Sequence, residues 1–145
     1  MVATNAPGSE AMAAGPGLDA ALEERVFARE LQHYPTAETA HLPKKDRRYG
    51  SGRWEGHRWV LPPRYSTTWE GAGLVVERMR ALGYWLGLNV PSACGSDREA
   101  CAVFWHAFPN DPDEDERFRI VGDAHGDTAP HATALAALAA VAVQP

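Results

Sequence analysis

The chain reads as an α+β domain: a three-stranded antiparallel meander with helices packed on it, an α-β-β-β-α core preceded by an amino-terminal helix. Three observations predict this. Ala72, Val75, Val76, Met79 and Leu82 recur at helical spacing behind a run of hydroxyl residues. Alternating apolar segments follow near residues 84–90, 100–108 and 118–120, and the loops between them are too short for crossover helices. A segment rich in Ala and Leu, opened by Asp127-Thr128-Ala129-Pro130, closes the chain as a last helix.

Taken in order, residues 1–17 are mostly small residues, Gly and Pro, which cannot bury enough surface to offset the entropy of ordering. A disordered tail is expected there, and a single domain over residues 18–145. Asp19 can cap a helix running to about His33, with Leu22, Val26, Phe27 and Leu31 inward and Glu23, Glu24, Arg25 and Arg29 in water. Residues 34–64, with prolines at 35, 43, 62 and 63, read as a long loop containing an edge strand near 54–61. From Lys44 to Arg64, the positives Lys44, Lys45, Arg47, Arg48, Arg53, Arg58 and Arg64 stand against only Asp46 and Glu55, and Tyr49, Trp54 and Trp59 sit among them.

The central helix is expected to start from a capping box, Thr67 with Glu70 three residues on. Gly83 should stop it, where a left-handed residue is wanted. In the first strand Tyr84, Leu86, Leu88 and Val90 share a face. In the second, Cys101, Val103 and Trp105 lie on one side and Phe104, His106 and Phe108 on the other, both read as covered. Residues 109–115 are a turn by composition. Phe118 and Ile120 should face the core, leaving Arg117 and Arg119 wet. The last helix should bury Leu135, Leu138 and Ala142. In a meander the outer strands run alike and both flanking helices oppose them, so the two helix starts belong toward one end of the sheet provided neither connection crosses over, which short loops favour.

Composition narrows function. The net charge of −5 argues against general nucleic-acid binding. No apolar run approaches the ~20 residues of a membrane span, and the start lacks a signal peptide's pattern; a cytosolic, membrane-free protein is expected. Cys94 and Cys101 are too few for a disulfide framework and fit no metal spacing, so they read as reduced thiols.

Tyr65-Ser66-Thr67, the following Val75-Val76-Glu77-Arg78-Met79, then Gly83-Tyr84, and finally Asp127-Thr128-Ala129-Pro130 resemble, in this order, small phage and prophage proteins of the phage α-β-α sandwich family. Glu24-Arg25-Val26 looks like that family's opening helix. Where this chain has Thr68 and Gly73, the family has Asp and Trp. The resemblance spans about residues 18–142. It implies a layered helix-sheet-helix fold and a viral origin, hence the host cytoplasm, and no particular activity.

Two groups of residues are candidates for binding. Tyr65, Ser66, Thr67 and Thr68 with Asp127 and Thr128 stand at helix starts, where free amides and the positive dipole end suit a small anion. The alternative is that they only cap their own helices, at ~1 kcal/mol each. Arg53, Trp54, Arg58, Trp59 and Arg64 could hold phosphate on guanidinium forks and stack a base on indoles; the alternative is core packing of the rings. His106, His125, His131 and Asp127 lack ligand spacing, so no metal is expected. Neither a cofactor nor a catalytic residue is expected, because the chain has no Gly-rich phosphate loop and no nucleophile elbow. The expectation is a phage accessory protein that sequesters an anionic ligand, a host immune-signalling nucleotide in its concrete form, without catalysis. The alternative is a protein–protein interaction module that inhibits or docks on a host or virion protein. Assembly into a homo-oligomer stays open.

Overall fold

A computed structural model describes residues 12–34, 50–89, 100–110, 112–114 and 117–143. The described residues form three helices and two three-stranded antiparallel sheets, so the α+β class and the meander stand as the sequence indicates. The elements are α1 (Pro16–Arg25), β1 (Gln32–Tyr34), β2 (Gly50–Glu55), β3 (Arg58–Val60), α2 (Trp69–Ala81), β4 (Tyr84–Asn89), β5 (Ala100–Ala107), β6 (Phe118–Gly126) and α3 (Ala129–Ala142). One sheet has the order β1-β2-β3 and the other β4-β5-β6.

The larger sheet and α3 form the heart of the molecule. α3 lies across β5 and β6, with α2 and α1 against its other sides. Every residue from Ala129 to Ala140 is buried, while Ala142 is exposed. The expected stripe of Leu135, Leu138 and Ala142 is therefore corrected to a helix apolar all round, which can only exist enclosed. Alanine makes the enclosure possible. Gly122 and Gly126 of β6 face the helix so closely that a Cβ at Gly122 would lie 2.3 Å from the Ala136 carbonyl oxygen, and one at Gly126 would lie 2.6 Å from the Ala132 amide.

Below the helices, Tyr84, Ala100, Ala102 and Phe104 point inward and are buried. A β-bulge then changes the phase of β6. Phe104 pairs with Gly122, but Trp105 pairs with Ile120, so Val121 is an extra residue. Phe118 and Ile120 are thereby turned onto the outer face, 46% and 55% exposed, and Arg119 onto the helix side, its guanidinium 4.0 Å from the Phe108 ring centroid. This reverses the expected facing of the third strand. The outer face of β5 is only half covered, contrary to expectation, because no described helix packs there. Its cover is its own side chains. Trp105 lies across Gly87, and Trp85 meets Phe118 edge-on at 5.1 Å.

α1 ends at Arg25 rather than near His33. The chain turns at Ala28, whose φ is 56°, and Gln32–Tyr34 is drawn into a strand against β2. Residues 50–60, expected as loop leading into one edge strand near 54–61, form a hairpin of two strands whose turn uses Gly56 at φ 62°. Residues 35–49, with Tyr49, and Cys94, for which the sequence carries expectations, lie outside the described residues.

Candidate functional site

α2 begins one residue later than the capping box predicts. Thr68 is the N-cap: its Oγ1 accepts from the Gly71 amide at 3.0 Å and donates to the Arg64 carbonyl at 2.9 Å. Thr67 is exposed. Gly71 explains the shift, since its Cα sits against the Arg64 carbonyl with no space for a Cβ. The other end of α2 is as expected, with Gly83 at φ 96° and its amide donating to the Arg80 carbonyl.

Tyr65 and Ser66 are 1% and 0% exposed, and both are engaged by α1. Asp19 does not cap α1; it is buried in the first turn, and its Oδ1 accepts from the Ser66 amide at 2.8 Å and from the Ser66 hydroxyl at 2.7 Å. The Tyr65 hydroxyl donates to Glu23 Oε1 at 3.0 Å, and Arg29 donates to the same oxygen at 2.8 Å. Glu23, expected in water, is 2% exposed because this pair of donors satisfies it. Phe27 stacks on the Tyr65 ring at 4.8 Å. Burial raises the Asp19 pKa, opposed by the Ser66 hydrogen bonds and the Arg64 charge. Burial, followed by the Glu23 charge, pushes the Tyr65 hydroxyl above its ordinary value.

At the start of α3, Thr128 accepts from the His131 amide at 3.3 Å and so caps the helix. His131 is buried, and its partners define its tautomer. Nδ1 accepts from the Asp127 amide at 3.2 Å, so Nε2 carries the proton, donated to the Met12 carbonyl at 2.9 Å. Four residues earlier than α1's first turn would suggest, the chain is thus already fixed. The Gly15 amide also donates to Ser66 Oγ at 2.9 Å. Residues 12–15 therefore bridge the starts of α2 and α3. The two starts share one end of the sheet, as the strand directions require, and the protein's own backbone runs between them.

The hairpin separates the other candidates. Trp54 pairs with Trp59 across β2 and β3, their rings edge-on at 5.4 Å, and Trp59 lies over Gly52. Strand alternation sends Arg53 and Arg58 to the opposite face. Arg53 is held there by Glu55 at 2.7 Å, while Arg58 is exposed. Arg53 acts electrostatically on Tyr65, and Arg64 on Asp19, so both lie near the start of α2.

The histidines are dispersed. His106 lies in β5, and His125 of β6 stands opposite Cys101, five positions away along β5, ~17 Å at strand rise. His106 is packed between Tyr84 and Phe108, and no group of metal-ligating side chains gathers among the described residues. Sequence reasoning missed the Asp19–Ser66 and Glu23–Tyr65 contacts, which join residues 47 and 42 positions apart and leave no local signal.

Fold and site together define a small α+β domain whose helix starts gather at one end beside a cationic hairpin. The same fold occurs in a phage protein from Bacillus cereus ATCC 14579, known from a 2.0 Å crystal structure. It is 17% identical, with a TM-score of 0.52 over 87% of this chain and 91% of that one. No family model matches the chain, and no curated protein does. No described helix is long and apolar enough to cross a membrane.

Proposed function

We propose that the chain is a phage accessory protein that binds a small anionic ligand and performs no chemistry on it, sequestering a nucleotide of host immune signalling in the host cytoplasm. The likeness of fold to a phage protein supports the origin. The observation that carries the ligand is the cationic rim near the start of α2, Arg53 and Arg64, continued by exposed Arg58 on a hairpin whose other face bears Trp54 and Trp59. β3 is the edge of this sheet, and neighbouring strands lie only ~5 Å apart. A nucleotide reaching round its edge meets guanidinium with its phosphate and indole with its base. Thr67, exposed beside this rim, is the one helix-start hydroxyl of α2 left to such a ligand, since Ser66 and Thr68 are engaged internally.

A nucleotide panel read by thermal shift tests this. Saturating ligand at 100 times its dissociation constant adds ~2.7 kcal/mol, a rise of about 5–10 °C for a domain of this size. Arg58→Ala should remove the rise without lowering the melting temperature of the free protein. A flat panel overturns the reading.

A second reading, an interaction module that docks on a host or virion protein, is favoured by Trp85, Phe118 and Ile120 exposed together on the outer face of β4-β5-β6. A flat panel with a host protein co-purifying, lost in Ile120→Lys, supports it. Light scattering of the same samples reads whether copies of the chain assemble.

A further inference from the structure

A groove of about 540 Å³ lies between α2 and the edge strand β4, lined by Val76, Arg80, Trp85 and Leu86. Its helix residues Val76 and Arg80 lie about 12 and 18 Å along α2 from Thr68, at the helical rise per residue, and so apart from the proposed nucleotide site. Its volume falls in the range of small-ligand pockets. Both walls are rigid. Val76 and Arg80 are one helical turn apart on α2, and the tight Leu82-Gly83 connection, with Gly83 at φ 96°, fixes them against Trp85 and Leu86. Val76 and Leu86 are half-buried and give an apolar floor.

The walls differ in chemistry. Trp85 leaves 61% of its surface open, with the Phe118 ring edge-on to it at 5.1 Å. A flat indole with only two side-chain torsions presents a stacking surface that costs little entropy on binding. Arg80 is exposed, and its guanidinium makes no hydrogen bond or ion pair among the described residues, not even with Glu77 one turn earlier. Among the described residues it is a positive charge without a fixed counter-ion, on a chain of net charge −5. We infer that this groove binds a planar aromatic ring bearing one anionic group, with the ring on Trp85 and the anion on Arg80.

The test uses the full chain labelled with ¹⁵N, 2-naphthoate as probe, and the indole N–H resonances as readout, Trp85 assigned by its loss in Trp85→Phe. The expected result is a saturating shift of the Trp85 resonance, at least tenfold weaker binding of the neutral 2-naphthamide and of cyclohexanecarboxylate, and at least a tenfold loss in Arg80→Gln. Arg58→Ala should bind 2-naphthoate like the parent, which separates this site from the hairpin. No saturating shift, equal binding of the amide, or unchanged affinity in a folded Arg80→Gln overturns the inference. So does a shift confined to Trp54 and Trp59, which would support the hairpin site instead. Should Arg80→Gln fail to fold, Trp85→Leu at an exposed position carries the same expected loss, read from the broadening of the naphthoate's own ¹H signals; unchanged broadening overturns the inference.

Discussion

Asp19 offers the sharpest separation of charge from hydrogen bonding in this fold. Its carboxylate is 5% exposed and accepts both the Ser66 amide and the Ser66 hydroxyl on Oδ1. Asp19→Ala strips both donors of their acceptor. The amide has no alternative in a wholly buried position, an orphaning worth ~1–3 kcal/mol. The hydroxyl loses less, because the Gly15 carbonyl lies 3.4 Å away. A total of about 2–4 kcal/mol follows, or about 6–12 °C in melting temperature at ~3 °C per kcal/mol. Asp19→Asn keeps an acceptor oxygen in the same place and removes only the charge. Burial is the leading influence on this carboxyl and raises its pKa above the ordinary 3.8. The folded state therefore holds the proton more tightly than the unfolded chain. This group's contribution is full below pH 3.8 and is lost as pH rises through the folded value. Relative to the parent, Asp19→Asn should gain stability as pH rises from 3.8 and level off above, and match or exceed the parent at pH 7. Urea unfolding followed by tryptophan fluorescence between pH 4 and 8 measures this. If Asp19→Asn is as damaging as Asp19→Ala at pH 7, the ionised carboxylate and its attraction to Arg64 outweigh desolvation, and the account of this contact fails.

Gly122→Ala places a methyl 2.3 Å from the Ala136 carbonyl and 2.6 Å from the Ala140 amide, both backbone. It should destabilise by about 1–3 kcal/mol or more, whereas Gly73→Ala, with open space around an exposed helical position, should stabilise by ~0.5–1 kcal/mol; calorimetry of the two variants checks both signs. Thr68→Ala should lose the N-cap, ~1 kcal/mol, and Thr67→Ala should stay within ~0.5 kcal/mol of the parent. Denaturant midpoints with the reverse order would restore the capping box at Thr67.

Much of the fold was legible because its signals are local. The stripe from Ala72 to Met79, the stop at Gly83 and the alternation through β5 each depend on neighbours within a turn or a strand. The cap moved by one residue because both Thr67 and Thr68 have suitable side chains, and only the contact of Gly71 with the Arg64 carbonyl selects between them. Facing in β6 was misread because period-two alternation assumes an unbroken ladder, and the extra residue Val121 inverts it. α1 was read too long because Leu31 continues its apolar spacing, yet β2 recruits the segment beyond Ala28. In the candidate site, alternation correctly interleaved Arg with Trp along the chain. That same alternation places them on opposite faces once the segment is a strand rather than a loop.

The order of residues by itself determined α2, the β4-β5-β6 meander and the presence of a last helix, because the signals for each are local. Tertiary structure alone decided what the polar groups at the helix starts do. Asp19, Glu23 and residues 12–15 reach them from outside any local window, because a buried hydroxyl or amide takes the nearest acceptor in space, whatever its distance along the chain.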